Sequence, residues 1–445
     1  MLNSQSFLTH TLAQHPQGQA VASILAAAIQ AVEPQAAIQR FVQRRGQTLV
    51  IDGREYPLEK DGRILLLGLG KAAPAMTQPL VDLLADFSPR GLLIPKQAPV
   101  QPLSGCEIQP GGHPVPDENS LRAGEKAIRL VSEKNLTEND LLICLISGGG
   151  SALMSAPQTG ISLSDLRELT LALLACGARI DEINTLRRHL DRLKGGGLAR
   201  LASPARVVSL ILSDVVNSPL EAIASGPTAP DPSTRADALE VLEKYGLQSK
   251  VPAAILKVLE TAPETPKPGD GLFERVQNVI VGSNLLAAQS ALEQAKSAGF
   301  EPQLLGNDWQ GEAREVARDL CHILKSATHQ RPFCLVAGGE TTVTLRGRGR
   351  GGRNQELALA AVRELAGLPD VLLVSLATDG EDGPTDAAGA VVSGETLRRG
   401  LALNLSPEPF LDENDAYTYF NALGDLLKPG PSGTNVNDLM LLFGF

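Results

Sequence analysis

Short apolar runs that stop at glycine or polar clusters, each followed by helical periodicity, recur from Arg63 to the C-terminus. In the first half these runs are RILLLGLG (63–70), GLLIPK (91–96), LLICLIS (141–147) and RVVSLILSD (206–214), separated by helix-like stretches such as AAPAMTQPLVDLLADF. They do not alternate apolar with polar, so they predict strands covered on both faces, as in a parallel sheet flanked by helices. The second half resumes with NVIVGSN (278–284), PFCLVAGGE (332–340) and VLLVSLATDG (371–380), and closes on NVNDLMLLFGF. Between them lie the helix-like LLAAQSALEQAKSAGF, GEAREVARDLCHILKSA and RNQELALAAVREL. The stretch TAPETPKPGDG (261–271) is the richest in proline, glycine and charge and marks a junction. The pattern predicts an α/β protein of two domains: a doubly wound, Rossmann-like N-terminal domain over 1–240 and a C-terminal α/β domain over 275–445, joined by a linker over 241–274. No self-similarity at a period of about 20 to 50 residues argues for a repeat fold.

Composition narrows the function classes. A 445-residue chain with 43% hydrophobic and 20% charged residues has ample apolar surface to bury, which excludes disorder. A net charge of −10 disfavours nucleic acid or an anionic membrane as the main partner, and 3% aromatic residues leave no stacking platform for single strands. The five cysteines are widely spaced, with no CxxC pair and no Cys/His cluster of metal-ligand spacing, so they read as reduced thiols of a cytoplasmic protein. Apolar runs such as LLICLI are far shorter than the roughly 18 residues that span a membrane.

Against this acidic background the stretch LRGRGRGGRNQE (345–356) stands out, with Arg346, Arg348, Arg350 and Arg353 interleaved with glycines. Between a strand and a helix, such a loop predicts an anion grip in which backbone N–H groups, a helix N-terminus and guanidinium forks converge. A solvated basic loop is the plain alternative.

In an open α/β sheet, ligands collect where strands end, so the residues just beyond each apolar run matter most. After the first run, Gly68-Leu69-Gly70-Lys71-Ala72-Ala73 puts backbone amides and Lys71 at a helix start. The turn fits a degenerate GxGxxA dinucleotide pattern, yet the next strand ends in Lys96 and not in the acidic residue a ribose hydroxyl needs. After LLICLI, the run Ser147-Gly148-Gly149-Gly150-Ser151 allows close backbone approach to a phosphate. No GxSxG elbow is present, which disfavours a covalent serine nucleophile.

In EINTLRRHLDRLKGGGLARL (182–201), Arg187, His189 and Lys194 lie on or beyond a helix ending at glycines, where cations serve either the helix dipole or a ligand. His113, between Gly112 and Pro114, reads as a loop residue at a turn or a ligand. Asp214 ends the fourth run and is a candidate general base or Mg²⁺ ligand, with turn capping as the alternative. Glu340 follows two glycines, while Asp379, Asp382 and Asp386 crowd the loop ATDGEDGPTDAAG; Asp379 and Asp382 are the candidate metal ligands.

Taken together, GLGKAAPAM, GGHPVPDENS, LISGGGSALMSAP, EINTLRRHLDRLKGGGLA, SDVVNSPLEAIASGPTAPDPST, AGGETTVTLRGRGRGGRNQE, ATDGEDGPTDAAGA and PSGTNVNDL resemble, in order, the class II glycerate 2-kinases with their MOFRL domain. The resemblance implies ATP-dependent phosphorylation of D-glycerate at its 2-hydroxyl, with Mg²⁺, in a cleft between two α/β domains. It also implies active-site roles for Lys71 and Arg353. With Asp214 as the expected base, the residues expected to contact substrate or phosphate are Gly70, Ser147, Gly148, Gly149, Gly150, Ser151, Arg187, Lys194, Glu340 and Asn354. Arg187 or Lys194 is the expected partner of the glycerate carboxylate. The competing reading is a hydroxypyruvate reductase using NAD(P)H, on the strength of the GxGxxA turn. Expected partners are small molecules only, with homo-oligomerisation left open.

Overall fold

A computed structural model describes residues 3–132 and 135–445. Its chain divides into two compact units. The first is built from Ala37–Ser213 and Ser218–Val281; the second joins the segment up to Ala36 to Asp214–Asn217 and Gly282–Phe445.

The first unit opens with a three-stranded antiparallel meander, β1 (Val42–Arg45), β2 (Thr48–Ile51) and β3 (Arg54–Pro57). Its six-stranded sheet comes next: β4 (Ile64–Leu69), β5 (Arg90–Ile94), β6 (Cys106–Ile108), β7 (Leu141–Ile146), β8 (Arg206–Leu212) and β9 (Val276–Gly282). The spatial order is β6-β5-β4-β7-β8-β9, and every pairing from β6 to β8 is parallel. This is the doubly wound order, in which the chain reverses its direction of growth between the first and fourth strands. Both β4 and β7 are buried along their whole length, as unbroken apolar runs require when helices cover both faces.

The second unit carries a mixed sheet of β10 (Glu301–Glu312), β11 (Phe333–Thr342), β12 (Val371–Ala377), β13 (Gly389–Ser393), β14 (Leu426–Leu427) and β15 (Asp438–Gly444). Its order is β10-β11-β15-β12-β13-β14. The last strand therefore lies in the middle, antiparallel to both β11 and β12. The α/β expectation holds for both units.

The expected boundaries do not hold. The run NVIVGSN, taken as the start of the C-terminal domain, forms β9 and closes the first sheet beside β8. Nor is 241–274 a linker: it contains the end of helix Arg235–Lys244 and all of helix Ala253–Thr261, whose Leu242, Ile255 and Leu259 share a core with Leu169, Leu186 and Leu190. The Pro/Gly-rich stretch is the surface return from this helical layer to β9. At the other end, the segment up to Ala36 belongs to the second unit and not to the first. Its helix Gly18–Gln30 buries Val21, Ile24, Leu25 and Ile29 and packs on helix Asn284–Ser297, whose Ala287, Ala288, Ala291 and Ala295 give it a flat apolar face. The buried carboxylate of Asp425 fastens the segment, accepting from the Thr11 backbone N–H and hydroxyl (2.8 Å each) and pairing with Arg399 at 2.6 Å.

Replacing Asp425 by alanine strands a largely buried guanidinium and frees the N-terminal segment. We expect a loss of about 2–3 kcal/mol, somewhat below the cost of breaking a fully buried pair because Arg399 keeps some contact with water. Urea denaturation of Asp425→Ala beside the parent chain measures it, and an unchanged midpoint would contradict this fastening role.

Candidate active site

The carboxyl ends of β4 and β7 flank the switch point of the first sheet, where open α/β folds bind ligands. Gly70 turns there with φ 117°, and a Cβ on it would lie 2.4 Å from the Ser147 carbonyl oxygen, so glycine is what lets the two loops meet. They are tied by the Ala72 N–H donating to Ser147 Oγ (3.0 Å) and the Lys71 N–H donating to the Gly148 carbonyl (3.2 Å). The Lys71 side chain is exposed, and its ammonium makes no hydrogen bond or ion pair among the described residues. Gly149, also left-handed at φ 85°, packs under His113, where a Cβ would come 3.0 Å from the ring. Burial, and then Lys71 and Lys96, hold the His113 imidazole below its ordinary pKa, so it is neutral at pH 7 in an electropositive setting.

Behind this edge the Ser151 hydroxyl lies 2.7 Å from Ser225 Oγ, which donates in turn to Asn184 Oδ1 (3.3 Å). Ser151, Arg187 and Lys194 line one pocket, walled by Leu169, Leu186 and Leu190. The two cations there differ in kind. The ammonium of Lys194 is buried, 2.6 Å from Asp191 Oδ2, and donates to the Met154 carbonyl (3.1 Å). That internal partner replaces the expected assignment of Lys194 to a substrate carboxylate. Arg187 has only a long hydrogen bond to Asn184 (3.5 Å) and no ion pair among the described residues, and burial lowers its pKa. A half-buried cation so weakly compensated favours an incoming anion. His189 is a packed helix residue, its Nδ1 2.9 Å from the Thr185 carbonyl.

Asp214 is half-buried, just past the end of β8. The loop beyond it holds four non-glycine residues in the left-handed region: Asn217, Ser218, Ala224 and Ser225. Strain of this kind is costly and concentrates at functional sites.

In the second unit, Arg353 begins the helix Arg353–Leu365. Its guanidinium is held by two carboxylates: Nη1 lies 2.6 Å from Glu340 Oε1, and Nε lies 2.6 Å from Asp438 Oδ2, with Nη2 at 3.2 Å from Asp438 Oδ1. Burial pushes the Asp438 carboxyl up to about 7 despite this guanidinium. The helix N-terminus is occupied as well. Asp382 accepts from the N–H groups of Asn354 (3.1 Å) and Gln355 (2.9 Å) and from the Asn354 amide (3.3 Å), so the expected metal ligand is a buried helix cap. Asn354, whose Oδ1 also accepts from Ser375, is part of that cap and not an open phosphate donor.

The expected backbone anion grip of the arginine-glycine loop is likewise closed. The N–H groups of Arg346 and Gly347 donate to Asn414 Oδ1, those of Arg348 and Gly349 to Glu413, and that of Arg350 to Asp415. Gly347 and Gly349 permit this clamp, since a Cβ on either would come within 2.3 Å of Glu413 or Asp415. Only the side chains of Arg346, Arg348 and Arg350 remain outward, with Arg350 over the Tyr417 ring. Asp379 is half-buried at the end of β12, and Asp386 accepts from the Tyr417 hydroxyl.

Two family models match the chain: a domain of unknown function, DUF4147, over residues 20–260, and the MOFRL family over 333–438. A D-glycerate 2-kinase of Thermotoga maritima is 42% identical over 85% of this chain and 90% of its own length. A crystal structure of glycerate kinase from the same organism superposes with a TM-score of 0.85 at 38% identity, covering 95% of this chain and 98% of the other. A relative from Agrobacterium vitis, 40% identical over 86% of this chain and 87% of its own, carries the name putative hydroxypyruvate reductase. The chain belongs to the class II glycerate 2-kinase family.

In this chain the GxGK block supplies Lys71 and the GGRNQE block supplies Arg353. The described residues contain no group of three or more His, Cys, Asp or Glu able to hold a metal, and the capping role of Asp382 removes one of the two expected ligands. Several residues of the site escaped the sequence reading. Asp438 starts a strand instead of ending one; Ser225 and Asn184 are unremarkable in the chain and are made significant by a left-handed turn and a helix face.

The close loop contact and the buried carboxylate can each be tested. Gly70→Ala combines a forbidden φ with a clash against Ser147 and should cost about 1–3 kcal/mol, read as a lowered melting temperature; an unchanged one would contradict the close loop contact. For Asp438 the sign is that of a raised acid. Between the ordinary carboxylate range, near 3.8, and about 7, the folded chain holds a proton that the unfolded chain has released. Its contribution to stability therefore declines as pH rises through that window and is constant above it. Asp438→Asn should remove this slope from the pH dependence of the urea midpoint, whereas parallel curves for the two proteins would refute it.

Proposed function

We propose that the protein transfers the γ-phosphoryl group of ATP to the 2-hydroxyl of D-glycerate, giving 2-phosphoglycerate and ADP. The observation that carries this reading is Lys71, an unpartnered cation at the switch point of a doubly wound sheet, where two glycine loops meet. Phosphoryl transfer asks the protein mainly for positioning and for positive charge on the phosphoryl oxygens, which are the roles of Lys71 and Arg353 in this reading. Arg187 takes the glycerate carboxylate, with the Ser151 hydroxyl beside it. The 2-hydroxyl oxygen attacks the γ-phosphorus, a P–O bond forms, the bond to the β-phosphate oxygen breaks, and the hydroxyl proton passes to Asp214. Asp379 is the reserve base. Mg²⁺ enters this reading as the counter-ion of the nucleotide.

The same reading takes the protein as a cytoplasmic enzyme of small molecules, with no nucleic-acid or membrane partner. No single helix among the described residues is long and apolar enough to cross a membrane. Reduction of hydroxypyruvate is the second reading, on the name of one relative; against it, the second strand of the sheet runs into Lys96 with no carboxylate for a ribose.

The purified chain, given D-glycerate, ATP and Mg²⁺, should form 2-phosphoglycerate and not its 3-isomer, and Lys71→Ala should lower kcat by about 10²–10³, the usual loss for one charge-stabilising donor. Oxidation of NADH or NADPH by hydroxypyruvate, without phosphorylated product, would replace this reading with the reductase.

A further inference from the structure

The second unit neutralises its own anion site. The amides of the arginine-glycine loop are bound to Glu413, Asn414 and Asp415, and the helix N-terminus is capped by Asp382. This leaves Arg353 as the cation able to meet an incoming anion at the head of its helix. Its two carboxylate partners are unlike. Asp438 has a side chain 2% exposed, grips through two guanidinium nitrogens, and is fixed in register opposite Gly339 and Ala377, with its carbonyl accepting from Asn284 (2.8 Å). Glu340 holds a single nitrogen, and its side chain is 44% exposed. A buried two-point ion pair resists exchange, whereas a half-solvated one-point pair contributes little and exchanges readily.

We propose that Glu340 is a displaceable counter-ion, occupying on Arg353 the place taken by an anionic oxygen of the substrates, while Asp438 stays as the fixed positioning residue. The inference rests on the reading of Arg353 as a substrate-facing cation. The anion is a nucleotide phosphate or the glycerate carboxylate, and binding of either one expels the Glu340 side chain into solvent and leaves the guanidinium aimed by Asp438. Glu340 thus sets affinity through competition, excluding weakly held anions from Arg353 when no substrate is present.

The chain's single tryptophan gives a local readout. Trp309 on β10 pairs with Gly339, and its neighbour Gln310 pairs with Glu340 itself. Titrating the fluorescence of the full-length protein with ATP and, separately, with D-glycerate gives affinities independent of turnover, beside KM for each. In Glu340→Gln, and in Glu340→Ala as a control against new bonds from the amide, Kd and KM for one of the two anions should fall about two- to fivefold, the competition expected of a half-exposed ion pair. The substrate whose affinity rises identifies the displacing group. Unchanged or weaker binding of both substrates in both variants would overturn the inference, since a residue that merely braces the site or helps to bind substrate gives that result. Arg353→Lys separates this from the functional reading: if that variant keeps full turnover, the role of Arg353 falls. If it loses turnover while the Glu340 variants bind as the parent does, only the counter-ion role falls.

Discussion

The burial of the last strand in the centre of its sheet governs the chemistry of the second unit. Because β15 runs antiparallel between β11 and β12, its first residue, Asp438, arrives at the edge where those two strands end. A carboxylate drawn into the interior this way is tolerable only with a cation against it. Arg353 supplies that cation from the head of the neighbouring helix, and the direction of its guanidinium is therefore a by-product of closing the core around Met440 and Leu442. In this unit charge and packing cannot be changed separately.

The first unit solves the opposite problem. Its loops are shaped by backbone conformation, with Gly70 and Gly149 left-handed and Ser218, Ala224 and Ser225 held in the same region without glycine's freedom. The cations it gathers, Lys71 and Arg187, lack ion-pair partners among the described residues, while Lys194 is matched by Asp191. The first unit leaves these two cations without a carboxylate, whereas the second holds Arg353 between Glu340 and Asp438.

The eight long apolar runs read from the sequence all became strands, because continuous burial leaves an unmistakable signature. The strands that went unread are short or half-exposed, such as β6, β14 and the edge strand β10, whose EPQLLGNDWQGE carries no clear period. Boundaries failed for a different reason. Proline and glycine at 261–271 mark a surface turn, and a surface turn within a domain looks the same in sequence as a turn between domains. The position of a candidate residue was legible where a strand ran into its loop, as at Lys71 and Ser147. It was illegible where a residue gained its meaning from a neighbour far along the chain. Asp382 looked like a metal ligand until the helix beginning at Arg353 claimed it as a cap, and Asp438 stood at the start of a strand, where a rule about strand ends does not look.

The joining of the segment up to Ala36 to the end of the chain has a consequence for how the protein is made. On the ribosome, domains form largely in the order in which they emerge. Residues Ala37–Ser213 and Ser218–Val281 can be in place while the remainder is still being synthesised. Helix Gly18–Gln30, although it leaves the ribosome before them, must wait with Val21, Ile24 and Leu25 uncovered until helix Asn284–Ser297 emerges, and Thr11 waits longer still for Asp425. This helix is thus among the last of these elements to find its place, and during that interval its apolar face is open to non-native contacts.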